Sequence, residues 1–449
     1  MISGKSSTIM LGALAVLMAL SVSTLFFPGL MSYDSLNQYS QVIGVIPINN
    51  AHPPTMVYVW RFLYNFMPSA GSLLFFHQFM YWTAIAILSW SLTSNIKLQL
   101  AIFFIVGLWP PLLINSLHLW KDVGMFAAVI LAVSALLADY RRPSYIWLFI
   151  SAVAIFYTLA VRYNAIIGIP FLTLAWAHRF TSRFEIRRKQ LISVVVIACI
   201  LTVGVSALTK WIDGSSNNGG LNSIILFDLA AISVSKDMDL FPDSENRTDG
   251  KFLDELKKEF KPEVNSPIGP VVSKIDFGNE SLTKYWMKTV LENIPTYLEH
   301  RYYVFSRMMW IAGPDPYYPY HRGIDENEYG IDFRYLGHAL SWDWKHSFDK
   351  ITHLFIYRPI IYLILSSIVF LYATSRLLRN FSNFKWFLSS TTSLSGIMMT
   401  AALFILSPAA DYRYALWMIA TAILSSLCVA FLPETPRCVT KQRTETSMS

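Results

Sequence analysis

Ten apolar stretches recur along this chain, and they constrain its fold more than any other feature. They lie near residues 8–27, 72–92, 98–116, 122–138, 145–161, 164–178, 191–209, 354–376, 386–406 and 411–431. About 20 apolar residues cross the hydrocarbon core of a bilayer as a helix. With 54% hydrophobic and only 14% charged residues, the chain has more apolar surface than a soluble core buries. The sequence therefore predicts an all-α polytopic membrane protein with about ten transmembrane helices.

The first apolar stretch, Thr8 to Phe27, follows Lys5 and occupies the position of a signal peptide. It lacks a convincing small-residue cleavage site and continues into Pro28-Gly29. We therefore interpret it as an uncleaved first span.

The loops carry basic residues unevenly. With the N-terminus in the cytoplasm, the inner segments hold fifteen Lys and Arg and the short outer segments hold five. These five are Arg61, Lys121, Arg162, Arg358 and Arg413. Because Lys and Arg accumulate in cytoplasmic loops, the asymmetry predicts a multi-pass protein of the inner (plasma) membrane with both termini cytoplasmic. The net charge of +7 then reflects topology and does not indicate a nucleic-acid partner.

One long polar segment interrupts the spans and holds 22 of the 29 acidic residues. The predicted regions are an N-terminal transmembrane module, 1–209, with a first extracytoplasmic loop, 28–71; an extracytoplasmic loop region, 210–353; and C-terminal helices with a short cytoplasmic tail, 354–449. Helical patterns lie near Lys251 to Phe260 and Ser281 to Trp310. The second has the apolar stripe of a helix that packs on the membrane domain or lies in the interface.

Charged side chains gather in the outer turns, beginning with the loop after the first span. Asp34 follows that span closely, where apolar surroundings raise a carboxyl pKa and a lipid-borne substrate has access. His52-Pro53-Pro54 then precedes an aromatic-rich amphipathic stretch, Met56 to Phe66, for which we predict an interfacial helix. Asp34 is a candidate general base, and the alternative is an ordinary helix-capping or loop aspartate.

The later outer turns repeat this pattern of ionisable groups. The turns are His118-Leu119-Trp120-Lys121-Asp122, Arg162-Tyr163-Asn164 and Asp411-Tyr412-Arg413. Lys121 and Asp122 also fit a simpler role as markers of a span end. Topology gives no reason for Arg162, and ionisable groups at membrane depth are functional candidates.

These residues suit transfer of a group away from a phosphate. The candidate catalytic acids are Asp34 and Asp122, because a carboxylate can activate a hydroxyl. The candidate substrate-binding residues are His52, His118, Lys121, Arg162, Asp411 and Arg413. Arginine binds phosphate oxygens through two parallel hydrogen bonds, and lysine neutralises their charge. No glycine-rich phosphate loop is present, and Cys199, Cys428 and Cys438 have neither disulfide nor metal-ligand spacing.

The layout resembles the GT-C superfamily of polyprenyl-phosphate-sugar-dependent glycosyltransferases. The resemblance covers the whole architecture, with sharper motifs in Pro28 to Gln38, His52 to Pro54 and Asp411 to Tyr414. Size and layout are most similar to bacterial glucosyltransferases that modify the O-antigen of lipopolysaccharide and are encoded with serotype-converting phages.

The resemblance implies a reaction. Asp34 would act as base on a hydroxyl of a glycan or lipid-linked acceptor, which displaces polyprenyl phosphate from the sugar with inversion. Many members carry paired acids in this loop, whereas Asp34 lies between Tyr33 and Ser35. We therefore predict no metal and no other cofactor.

Three other functions compete with this interpretation. A transporter or flippase for lipid-linked sugars would place polar residues midway along its spans and show internal repeats, and the sequence shows neither. A polysaccharide polymerase or ligase shares the donor but does not require the first-loop aspartate. A membrane scaffold without chemistry is the simplest alternative. The sequence names neither the sugar nor the acceptor.

Overall fold

The protein is built from helices, as the sequence predicted. The computed structural model describes residues 4–49, 52–184, 190–213, 219–242, 244, 247, 250–273, 275, 281–333 and 343–434. Across these residues β-type pairing is limited to isolated bridges, such as Leu30 with His118 and Met31 with Ile324, and no strand forms. The all-α prediction is confirmed for this part of the chain.

The N-terminal half supplies ten α-helices. They are α1 (Gly4–Leu25), α2 (Tyr33–Val42), α3 (Thr55–Phe66), α4 (Gly71–Leu92), α5 (Ile96–Gly107), α6 (Pro110–Ser116), α7 (Lys121–Arg141), α8 (Tyr145–Val161), α9 (Ile169–Thr181) and α10 (Gln190–Asp213). The helix α3 coincides with the amphipathic stretch predicted in the first loop. The helix α2 was not predicted, and it carries Asp34 in its first turn.

The second half combines short helices of the long polar segment with three long apolar ones. They are α11 (Gly219–Lys236), α12 (Lys251–Glu259), α13 (Gly269–Val272), α14 (Leu282–Glu292), α15 (Ile294–Met308), α16 (Trp344–Thr352), α17 (Pro359–Leu377), α18 (Phe384–Leu406) and α19 (Leu416–Phe431). The predicted helical patterns in the polar segment correspond to α12 and to the pair α14 and α15. The helix α11 was missed.

Seven helices of the described chain are long and apolar enough to cross a membrane. They are Ser6–Leu25, Gly71–Leu92, Lys121–Arg141, Ile192–Ile212, Pro359–Leu377, Phe384–Leu406 and Tyr412–Phe431. The pair α5 and α6 bends by 60° at a short break and makes an eighth if it is one span. The remaining two predicted spans form shorter helices, α8 with 17 residues and α9 with 13. The structure thus supports a polytopic helical membrane protein, and the number ten stays a prediction.

The helices differ in how deeply they are buried. The helix α7 is almost wholly enclosed and packs against α4, α8 and α19. In contrast, α1, α10 and α17 bury only about a fifth of their residues, and they carry exposed apolar side chains such as Leu17, Ile200 and Leu371. An aqueous surface would oppose such exposure, whereas lipid tails are a suitable environment for it. The helix α7 is therefore the axis of the bundle, and its two ends are the sites where buried charges collect.

Candidate functional site

The first loop is held between two later loops by its backbone. The Leu30 amide donates to the Leu117 carbonyl and the Leu119 amide donates to the Leu30 carbonyl, both at 2.9 Å. Gly29 permits this close approach, because its φ is 105° and a Cβ there would lie 2.9 Å from the Leu119 side chain. On the other side, the Met31 amide donates to the Gly323 carbonyl at 2.9 Å. These bonds therefore hold the backbone that leads into α2, whose second residue is Asp34.

Asp34 forms an ion pair with the last outer turn. Arg413 Nη1 lies 3.0 Å from Asp34 Oδ2, and Arg413 Nη2 lies 3.0 Å from Asp411 Oδ2. The guanidinium therefore bridges two carboxylates that are 377 positions apart in the chain. The Asp34 side chain keeps 31% of its surface exposed, whereas Arg413 keeps 12%. Asp34 is thus the more accessible member of the bridge.

His52 connects Asp34 to Lys121. Its Nε2 lies 3.7 Å from Asp34 Oδ1, beyond hydrogen-bond distance, and its Nδ1 lies 2.6 Å from the Lys121 ammonium. Burial and then the charge of Lys121 lower the pKa of His52 to about 3, so the ring is neutral at pH 7. Because an ammonium only donates hydrogen bonds, Nδ1 accepts and the ring proton is on Nε2, facing Asp34.

A second ion pair lies beside the first. Arg162 Nη1 is 3.2 Å from Asp122 Oδ2, and Arg162 Nε donates to the Asn164 amide oxygen at 3.2 Å. The Arg162 guanidinium also stacks over the Tyr414 ring at 4.9 Å. Asp122 is fully buried in the first turn of α7, and its Oδ1 has no hydrogen-bond partner among the described residues. This oxygen could accept a hydrogen bond from a bound substrate group.

The surroundings shift the pKa values of Asp34 and Asp411 in opposite directions. Burial alone would raise the pKa of Asp34, as the sequence predicted, but that prediction is wrong, because the charges of Arg413 and Lys121 outweigh burial and hold the pKa below its usual value. Burial dominates at Asp411 and raises its pKa despite Arg413. Asp34 is therefore firmly ionised at neutral pH. Neighbouring carboxyls that are driven apart in this way can take different roles in acid–base chemistry.

His118 has a different position from the one the sequence suggested. Its Nδ1 donates to the Asn115 carbonyl at 3.0 Å, and its Nε2 accepts from the His321 amide at 2.9 Å. Burial lowers the pKa of His118 to about 3, which agrees with a neutral ring. With both ring nitrogens bonded to backbone groups, His118 joins two loops. The predicted substrate contact by His118 stays a prediction that this arrangement does not favour.

The long polar segment supports the last outer turn. Arg301 of α15 donates to the Ser407 carbonyl at 2.7 Å and pairs with Asp228 of α11 at 2.6 Å, all three groups being buried. The Ala410 amide donates to the Glu263 carbonyl at 2.7 Å. These bonds fix the backbone on both sides of residue 409, and so they position Asp411 and Arg413.

Other residues at the site were missed by the sequence analysis. The Trp120 indole lies between the stacked His118 ring, with centroids 4.0 Å apart, and the Arg413 guanidinium at 5.0 Å. Its Nε1 donates to Ser32 Oγ at 2.8 Å. Tyr318 stacks on Trp120 with centroids 6.3 Å apart. The cation–π contact between Trp120 and Arg413 has no local sequence signal, because it forms between distant loops.

The predicted residues thus converge at one end of the bundle. Asp34, His52, Lys121, Asp411 and Arg413 form one connected group, and Asp122 with Arg162 adjoins it. Alternating helices bring these loops to the same end of α7. Among the described residues, no three His, Cys, Asp or Glu side chains are grouped in a way that could hold a metal ion.

Comparison with protein-family models, with curated proteins and with solved structures finds no match to this chain. The resemblance to GT-C glycosyltransferases therefore depends on the residues and layout alone.

Proposed function

We propose that this protein is a membrane glycosyltransferase that moves a sugar from a polyprenyl-phosphate donor to a glycan or lipid-linked acceptor on the non-cytoplasmic side. The observation that carries the proposal is the group formed by Asp34, His52, Lys121 and Arg413 at one end of an apolar helix bundle. A partly exposed carboxylate beside buried cations at a membrane surface suits a reaction that consumes a hydroxyl and releases a phosphate.

Asp34 is the base in this proposal. As the acceptor hydroxyl attacks the anomeric carbon, its proton passes to the Asp34 carboxylate. The bond from that carbon to the phosphate oxygen breaks on the opposite face, and polyprenyl phosphate leaves with the electron pair. The sugar is therefore transferred with inversion. His52 faces Asp34 with its Nε2 proton and favours the ionised carboxylate before the reaction.

Lys121 is the cation best placed to receive the leaving phosphate. Arg162 and Arg413 each already contact carboxylates, so either would have to exchange a partner to hold a phosphate. Lys121 contacts the neutral ring of His52 and exchanges less on binding an anion. The two arginines then orient the carboxylates and add charge to the phosphate site.

The location of the charges favours an enzyme over a transporter. Asp34, Asp122, Arg162 and Asp411 lie at helix ends or in the loops beside them. A transport pathway needs binding groups near the middle of the membrane. A group at one end of the bundle is instead suited to a lipid-borne donor that approaches from one leaflet.

The test compares cells that carry the gene with cells that lack it. Surface glycans and glycolipids should gain a sugar residue in cells with the gene, and the polyprenyl-phosphate sugar should accumulate without it. Cells expressing Asp34→Asn at equal protein level serve as the control and should resemble cells that lack the gene. Identical glycans in all three strains would contradict the proposal. A change only in the leaflet distribution of the lipid-linked sugar would indicate the transporter.

A further inference from the structure

A second set of hydrogen bonds lies on the segment that follows α15. Tyr318 Oη is 2.6 Å from His321 Nδ1, and His321 Nε2 is 3.3 Å from Asp325 Oδ1. The other carboxylate oxygen, Asp325 Oδ2, accepts from the Tyr33 amide at 2.7 Å. The three side chains form a chain of contacts from the neighbour of Asp34 to the Tyr318 hydroxyl.

The surroundings of His321 determine which way these hydrogen bonds run. Burial lowers the pKa of His321, so its ring is neutral at pH 7, and Asp325 and the Met31 carbonyl oppose this shift. Asp325 Oδ1 only accepts hydrogen bonds and lies beside Nε2, so the ring proton is on Nε2. Nδ1 is then an acceptor, and the Tyr318 hydroxyl donates to it. The only hydrogen of the Tyr318 hydroxyl is used in the bond to His321, so the oxygen can only accept a further hydrogen bond.

The backbone holds Tyr318 next to the candidate base. Its ring stacks on Trp120, whose indole also lies under Arg413. Tyr318 has a φ of 45°, a conformation that is costly for a bulky residue and is concentrated at functional sites. The His321 amide bonded to His118 and the Asp325 amide bonded to the Met31 carbonyl hold the segment in place. Despite these supports, Tyr318 keeps 37% of its surface exposed.

We infer that Tyr318 contacts the acceptor substrate and that it recognises a hydroxyl group by accepting its hydrogen bond. The oxygens of a sugar-linked phosphate at neutral pH only accept hydrogen bonds, so they cannot bond to a Tyr318 oxygen whose hydrogen is already in use. A sugar brings hydroxyl donors and is matched. His321 and Asp325 act as positioning residues that set this polarity. The inference rests on the proposed function and assigns the acceptor side of the same site.

The kinetic test uses Tyr318→Phe, which keeps the ring on Trp120 and removes the oxygen. The donor is labelled polyprenyl-phosphate sugar, and the acceptor is the glycolipid fraction, both extracted from cells that lack the gene. KM for the glycolipid should rise about tenfold, the effect of one hydrogen bond, while donor KM and kcat change less than about twofold. Tyr302→Phe, on an exposed face of α15, is the matched control. An increased donor KM, or an unchanged acceptor KM, would overturn the assignment.

A binding test separates this inference from the proposed function. The labelled glycolipid fraction is titrated into wild-type protein and Tyr318→Phe in lipid nanodiscs without donor. Weaker binding by the variant supports the acceptor contact even if the wild type transfers no sugar, a result that would refute the glycosyltransferase alone. Equal binding by both proteins would refute the contact even if transfer is observed.

The hydrogen-bond polarity has its own measurement. Nitrogen NMR of histidine-labelled protein, with His321→Gln used to assign the signal, reports which ring nitrogen carries the proton. We expect the Nε2–H form in the wild type. An Nδ1–H form would make Tyr318 a donor and would overturn the preference for a hydroxyl.

Discussion

The two ends of α7 each bury an aspartate beside arginines. At the C-terminal end, Asp139 Oδ2 lies 2.7 Å from Arg179 Nε, and Asp139 Oδ1 contacts Arg183 and accepts from the Ser144 amide at 2.9 Å. At the N-terminal end, Asp122 Oδ2 pairs with Arg162, and Oδ1 has no hydrogen-bond partner in the described part of the chain. Both aspartates are fully buried.

The two ends differ in ways that fit a structural role for the Asp139 ion pair and the proposed functional role for the Asp122 ion pair. At the Asp139 end each carboxylate oxygen lies against an arginine, although Oδ2, like Asp122 Oδ1, makes no hydrogen bond to a described residue. These contacts join the end of α7 to α9 and the turn after it. At the Asp122 end a buried oxygen is left over, and the neighbouring Asp34 keeps 31% of its side chain exposed. The two ends therefore differ in the accessibility of the charges: only the Asp122 end has a neighbouring carboxylate that a ligand can reach.

The largest expected effect is an all-or-none difference between two reporter fusions, which tests which end of α7 faces outwards. The asymmetry of fifteen inner to five outer basic residues predicts that the Asp122 end lies outside. A reporter fused near Lys251 should then read as external, and one fused after Thr440 as cytoplasmic. If both fusions report the same side, the two ends of α7 cannot be assigned in this way.

The next effect is the loss of transfer in Asp34→Asn. The amide keeps the shape and cannot take the hydroxyl proton, so sugar transfer in membranes should fall by about 10²- to 10⁴-fold at equal protein level. Asp122→Asn should be impaired by a smaller factor, because Asp122 supports the reaction indirectly. The measurement is transfer of labelled sugar from the polyprenyl-phosphate donor. Full activity in Asp34→Asn would remove the base from the mechanism.

Asp139→Asn should give the opposite phenotype. It leaves two largely buried arginines without their counter-charge, and breaking a buried ion pair costs about 3 kcal/mol or more of folding stability. We expect a lower thermal midpoint in detergent and less accumulated protein, with near-normal transfer per folded molecule. Asp34→Asn is the matched control, since Arg413 retains Asp411, and its midpoint should change far less. Equal midpoints in the two variants would abolish the distinction between the ends.

The sequence indicated the helices and the convergence of charges, for identifiable reasons. Long apolar runs predict spans, and alternation of spans brings the loops of Asp34, Asp122 and Asp411 to one end without knowledge of packing. The contacts of Tyr318 with Trp120 and of Arg301 with Ser407 were not predictable, because they join segments more than a hundred residues apart. The helix α2 was missed because only Leu36 and Val42 of its ten residues are aliphatic, so it reads as part of a polar loop.

The ion pair between Asp139 and Arg179 could not be predicted from the sequence either. Asp139 and Arg179 each follow a long apolar stretch, and both fit the ordinary pattern of charges at span ends. Only the packing of α7 against α9 shows that they meet. Residue type and position alone therefore do not separate a structural aspartate from a functional one.

A smaller effect is expected when the arginines at the Asp122 end are replaced. Losing a charge-assisted pair to a desolvated phosphate or carboxylate should cost on the order of 2 to 4 kcal/mol of binding or transition-state energy. Arg162→Ala and Arg413→Ala should both show this at limiting donor, and Arg162→Lys should be defective as well, because an ammonium does not reproduce the planar fork. Normal turnover in both alanine variants would refute a role in phosphate recognition.

The smallest effect is a change in pH dependence that is specific to Arg413. The charges of Arg413 and Lys121 hold the Asp34 pKa below its usual value against the effect of burial. A base acts only when deprotonated, so Asp34 should not limit kcat/KM of the wild type between pH 7 and pH 5. Asp411, whose pKa is raised by burial, is the second carboxyl in contact with Arg413.

In Arg413→Gln the largest opposing charge is lost while burial remains, so the Asp34 pKa rises. Activity of this variant relative to wild type should then fall as the pH decreases from 7 to 5, approaching tenfold for each unit below the new pKa. Arg162→Gln is the matched control, because Arg162 pairs with Asp122 and leaves the bridge between Asp34 and Asp411 intact. Its ratio to wild type should stay constant over this range. A constant ratio for Arg413→Gln as well would mean that Arg413 does not control the protonation of the base, and that its place beside Asp34 serves binding alone.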